Sequence, residues 1–198
     1  FEKALASGKD VLFTCLSSGI SSTINNAFIC REEMQEKYPD ADICVFDSIC
    51  ACGGHGMLIY HAIENKKKGM SAKENMQALE ALKHHIVHKF TVDDLTYLQR
   101  GGRISKTAAM IGGMIQLKPV LHVDIEGRLA AESKVRGRKK ALNQLVSEME
   151  NCVGSYADKQ DMVLICHADC LEDAEYVQAK VEEKFHPDKI IISEVGPI

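Results

Sequence analysis

Five of the seven residues from Ser17 to Thr23 carry a hydroxyl, and one of the other two, Gly19, has no side chain. They follow an apolar run rich in β-formers, VLFTCL (11–16), and open a helical pattern that runs to Tyr38-Pro39. A strand, turn and helix in this order direct unpaired backbone N–H groups, the positive helix end and several hydroxyls at one point. Such a point suits an anion. Helix capping alone asks for one hydroxyl and is the ordinary reading of the cluster. The segment is not a P-loop, because GxxxxGK[ST] and its lysine are missing, and it is not a GxSxG nucleophile elbow. Without a positioned lysine or base, it fits carboxylate or ester recognition better than nucleotide hydrolysis.

Further along, Asp93 to Ser105 reads DDLTYLQRGGRIS. An arginine between a glycine turn and the next helix start can present a fixed guanidinium fork to an oxyanion. The ordinary alternative is a helix end with compensating arginine and a Ser105 cap. A third stretch, Lys134-Val135-Arg136-Gly137-Arg138-Lys139-Lys140, places basic residues at a helix start, where they oppose the dipole. As a bare charge run a solvated helix start is the ordinary reading, and the mild dipole cost favours a further reason such as an anionic substrate or an acidic partner. His84-His85-x-x-His88 has helical metal-pair spacing, but no nearby carboxylate or cysteine completes it. Asp47-Ser48 and His167-Ala168-Asp169 each close an apolar run, where a cleft residue and a loop or capping residue are equally consistent.

Alternating elements position these groups. Strands are predicted at 10–16, 41–48, 86–92, 162–168 and 189–195, and helices at 21–37, 53–68, 93–99, 104–115, 137–152 and 171–185. Ser71 and Glu74 form a capping-box pair for a helix running to about His84. LKPVLHVDIEGRLAAESKV reads as a hairpin turning at Glu126-Gly127. Strand–helix alternation implies a mostly parallel sheet covered by helices, whereas the hairpin implies a second, mixed-sheet domain. We expect an α/β protein of two domains, 1–85 and 86–198. FEKALASGKD reads as the tail of a helix and the final GPI follows an apolar run, so both ends are expected to be cuts through a larger fold.

The 198 residues are 45% apolar and 26% charged, the balance of a folded globular chain. A formal charge of −4 gives no general attraction to nucleic acid or anionic membrane. No apolar run reaches the roughly 18 residues of a membrane span. The eight cysteines form no CxxC pair, and most sit inside apolar runs, such as Cys15, Cys44 and Cys166, where cysteine is expected to behave as a small buried hydrophobe. No metal site or cofactor is expected, and reduced thiols point to the cytoplasm.

Taken together, LSSGISSTINNA (16–27), FDS (46–48), YLQRGGRIS (97–105), LKPVL (117–121), KVRGRKKA (134–141) and HAD (167–169) resemble the motifs of the DegV family, in the same order. The resemblance implies a two-domain α/β fold that binds one long-chain fatty acid between its domains. It implies no catalytic residue of its own. A separate ATP-dependent kinase subunit would phosphorylate the bound carboxylate, giving an acyl phosphate for phospholipid synthesis. On this resemblance Ser17, Ser18, Gly19 and Ser21 contact the carboxylate, and Arg103 and Arg136 present the head group to the kinase. Ser22 and Ile24 depart from the family's usual glycine and tyrosine. The competing expectation is an enzyme, a small-molecule kinase or acyl hydrolase, with Ser17 or Ser21 as nucleophile. That reading requires a histidine base, and none is close in sequence. A DNA-regulatory role lacks any DNA-reading motif.

Overall fold

The computed structural model describes residues 1–105 and 117–196. Beyond Ser105, the helix expected at 104–115 lies outside the described residues. The fold is mixed α/β, with two parallel strand pairs and one antiparallel three-stranded sheet among the described residues. The chain divides into two compact units. The first comprises 1–86 with the short segment 125–128, and the second 87–124 with 129–198.

In the first unit, β1 (Val11–Cys15) and β2 (Ile43–Asp47) pair in parallel, with Val11 opposite Ile43 and Cys15 opposite Asp47. Helices α1 (Glu2–Leu5) and α2 (Thr23–Lys37) accompany one face, and α3 (Cys52–Lys67) and α4 (Ala72–Leu82) the other. Side chains alternate across the sheet. Cys15 and Val45 pack with Ile24 and Ala27 of α2, while Phe46 packs with Cys50, Leu58 and Leu79. Burial on both faces explains why these strands read as unbroken apolar runs. The expected capping box at α4 is complete: Ser71 Oγ accepts the Glu74 amide, and the Glu74 carboxylate accepts the Ser71 amide at 2.8 Å.

The second unit holds the antiparallel sheet β3 (Lys89–Thr91), β4 (Leu117–Val123) and β5 (Leu129–Arg136), in that spatial order. Pro119 stands in the central strand, which is unusual because it cannot donate to the ladder. It sits just past the last β3 pairing, Thr91 with Val120, and one residue before the irregularity at Val120/Leu121. The Thr91 hydroxyl donates to its carbonyl at 2.7 Å. A short α5 (Thr96–Arg100) precedes the glycine turn. Helices α6 (Arg138–Val153) and α7 (Leu171–Phe185) join the parallel pair β6 (Val163–His167) and β7 (Ile190–Glu194) around Val146, Val181 and Phe185.

The strand predicted over 86–92 is shorter than its apolar pattern suggests. Ile86 packs into the Phe46–Leu79 cluster of the first unit, and Val87 is exposed. Only Lys89 to Thr91 reach β4.

Candidate functional site

The carboxyl ends of β1 and β2 lie side by side, and each runs into an irregular loop before a long helix. The loop after β1 is the serine turn. Ser17 is fully buried: its amide donates to the Cys50 carbonyl at 2.9 Å, and its carbonyl accepts the Ile20 and Ser21 amides, both at 3.0 Å. Its hydroxyl accepts the Gly19 amide at 3.0 Å. Ser18 is exposed and has its amide anchored on Asp47, whose Oδ1 accepts it at 3.1 Å. The same carboxylate oxygen accepts the Ile49 amide at 3.1 Å, so one aspartate ties both loops together. The Ser21 hydroxyl pairs with the Thr23 hydroxyl at 2.9 Å and accepts the Thr23 amide at 3.3 Å.

Ser22 occupies the cap position of α2, yet its side chain caps nothing. The ordinary capping reading of the cluster therefore does not hold at that residue. Neither α2 nor α3 has an acidic residue in its first turn, so the positive ends of both dipoles remain unopposed by their own side chains.

The loop after β2 is strained. Ile49 and Cys52 have φ of +48° and +34°, a region that a β-branched residue such as Ile49 rarely enters. Strain of this kind gathers at sites where the surrounding fold over-determines the backbone. Here the surroundings are Asp47, Ser48 and Cys50. The Ser48 hydroxyl accepts the Cys50 amide at 3.1 Å. Burial, with Asp47 adding to it, pushes the Cys50 thiol up to about 12.

Two residues not singled out from the sequence belong to this region. The Thr14 hydroxyl and His55 Nε2 share a hydrogen bond of 2.9 Å between β1 and the first turn of α3. Burial holds the imidazole below its ordinary range. The only sequence signal was a threonine inside an apolar strand and a histidine among glycines, Gly53-Gly54-His55-Gly56. Among the described residues, none of Ser17, Ser18, Ser21 and Ser22 has a histidine as hydrogen-bond partner.

Arg103 and Arg136 both lie in the second unit. Arg103 is exposed, and its guanidinium folds back onto the Gly101 carbonyl across the turn that ends α5. Arg136 is exposed at the end of β5, opposite Leu117. Arg138 and Lys139, which follow, also have partners inside the protein. Arg138 Nε donates to Asp173 at 2.7 Å, and the Lys139 ammonium lies over the Tyr176 ring. An internal acidic partner thus offsets the dipole cost of Arg138 at the start of α6. Asp169 sits after β6 with φ of +51°, and α7 is capped at Cys170 without a side-chain bond, so Asp169 is not the helix cap.

Among the described residues no cluster of His, Cys, Asp and Glu could hold a metal ion, and no helix is long and apolar enough to cross a membrane. A cleft of about 480 Å³ in the second unit is rimmed by Glu150, Asp158, Lys184 and His186. Val153, Gly154, Ala157 and Phe185 complete its lining.

A family model described as "Uncharacterised protein, DegV family" matches residues 1–198. A DegV domain-containing protein of Clostridium perfringens is 42% identical over 196 residues, which are 99% of this chain and 67% of that protein. The chain thus spans about two thirds of that relative's length. A DegV-family crystal structure from Ruminococcus gnavus, refined with vaccenic acid, superposes with a TM-score of 0.84 at 25% identity, covering 98% of this chain and 70% of that one. A stearic acid-binding protein from Eubacterium ventriosum gives 0.82 at 26% identity, covering 95% and 65%. Matched by the family model over residues 1–198, this chain belongs to the DegV family.

Proposed function

We propose that this chain binds a long-chain fatty acid, with its carboxylate at the turn formed by Ser17, Ser18, Gly19 and Ser21, and presents it to a separate ATP-dependent kinase subunit. The observation that carries the reading is the match, over nearly the whole chain, to proteins of the same fold that hold vaccenic or stearic acid. The turn supports it with hydroxyls and two helix ends free of acidic side chains in their first turns. Arg103 and Arg136 are the head-group residues of this reading, and both are exposed.

Burying about 14 methylenes at ~0.8 kcal/mol each gives roughly 11 kcal/mol before the cost of association. A charge-assisted hydrogen bond adds only about 1.5–3 kcal/mol. The tail therefore sets affinity, and the turn sets orientation. Mass spectrometry of lipid extracted from the purified protein tests the ligand, and a protein that carries no acid and takes none up rules it out. With a kinase partner supplied, Ser21→Ala is expected to impair acyl phosphate formation far more than lipid retention.

The hydrolase reading needs a base beside a serine, but among the described residues the serines of the turn have no histidine partner, and His55 at the start of α3 is bonded to Thr14. Treatment with an activated ester probe separates the two, because a covalent serine adduct would favour catalysis.

A further inference from the structure

Gly127 meets the serine turn from about 110 residues away in sequence. With the rest of 125–128 it belongs to the first unit. Its φ of +75° favours glycine, but space is the stronger constraint. A Cβ on Gly127 would collide with the Ser17 hydroxyl and stand 2.9 Å from the Ser17 Cβ and 3.1 Å from the Ile49 Cα. From the other side, a Cβ on Gly19 would meet the Gly127 carbonyl oxygen at 2.8 Å and Arg128 Cγ at 2.9 Å. Two glycines therefore face each other, with Ser17 and the strained Ile49 against the same backbone. Ser17 is completely enclosed at this junction, while Ser18 is exposed.

We propose that Gly127 is a positioning residue for the anion-binding turn. Lacking a side chain, it lets the 125–128 segment close on Ser17 and Gly19 and fixes the turn's backbone. In that arrangement the Ser17 hydroxyl serves the turn itself, by accepting the Gly19 amide, and Ser18 and Ser21 offer their hydroxyls to the carboxylate. The proposal rests on the fatty-acid reading above and adds which residue shapes its head-group site.

The test compares binding of oleic acid with binding of oleyl alcohol, which has the same tail and no carboxylate. Gly127→Ala is expected to cut the preference for acid over alcohol by about tenfold or more, the scale of one charge-assisted hydrogen bond, while alcohol binding stays within about twofold. Gly8→Ala is the control for backbone strain alone, because Gly8 has φ of +73° with nothing within 4 Å of its Cβ position. It should keep the preference. Should Gly127→Ala fail to fold, Ser17→Thr puts a methyl group on the same crowded residue without altering Gly127, and is expected to reduce the preference alone. Unchanged preference in Gly127→Ala, or in Ser17→Thr where that variant carries the test, overturns the proposal. A wild-type protein that binds neither probe sinks the fatty-acid reading, and one that binds both equally sinks the carboxylate site. The proposal falls with either.

Discussion

The Asp47 carboxylate accepts the Ser18 amide at 3.1 Å, so the end of β2 holds the turn that follows β1. Because the same oxygen takes the Ile49 amide, losing it releases both loops at once. Asp47→Ala is expected to destabilise the first unit by about 2 kcal/mol, the cost of two orphaned donors partly repaired by water. Asp47→Asn keeps a carbonyl oxygen in place and should cost less than about 1 kcal/mol. Urea titration of both variants against the wild type checks the order.

His55 makes the first unit sensitive to acid. Its folded pKa lies below the ordinary 6.5 because burial disfavours the imidazolium. The unfolded chain therefore binds a proton first as pH falls. Stability from this group is complete above about 6.5 and is lost as pH drops through 6.5 toward the lower folded value. Between pH 7.5 and 5.5 the wild type should lose more stability than His55→Gln, which cannot titrate. Equal losses in paired denaturation curves would remove His55 as the cause.

Thiol reactivity should divide by burial. Cys15, Cys44 and Cys50 are enclosed, and burial raises the pKa of each. Cys52, Cys152 and Cys166 are exposed, and for Cys166 this overturns the burial expected from its apolar run, because its position in β6 faces outward. Brief iodoacetamide treatment of the native protein at pH 8, read by peptide mass spectrometry, should label the exposed set and leave the enclosed set until urea is added.

Ser71→Ala opens the capping box of α4 and should cost about 1 kcal/mol in stability. Oleic acid binding should not change, since the cap lies outside the serine turn. A thermal melt with a binding titration on the same sample reads both.

Much of the fold was legible because its signals are local. Both faces of β1 and β2 are covered, so their apolar runs stand out. Helix α7 spans 171–185 as its pattern predicts. The shortening of β3 was not legible, since nothing in IVHKFTV says that Ile86 belongs to another core. At the candidate site, the serine cluster and Asp47 were visible as residues, but their division of labour was not. That Ser17 turns inward depends on Gly127, and that His55 meets Thr14 depends on a strand-to-helix packing 41 residues apart. Pairings at that range leave no periodic trace in a single chain.

The membership of 125–128 in the first unit has a consequence during synthesis. Asp124 and Leu129, on either side, belong to the second unit. A nascent chain emerging from the ribosome can assemble β1, β2 and their helices early, yet the 125–128 piece of that lobe arrives only after residue 128 has left the exit tunnel. Until then Ser17 and Gly19 stay uncovered, and closing so long a loop carries its own entropic delay. Severing the chain after Ile86 would therefore yield an unfinished lobe.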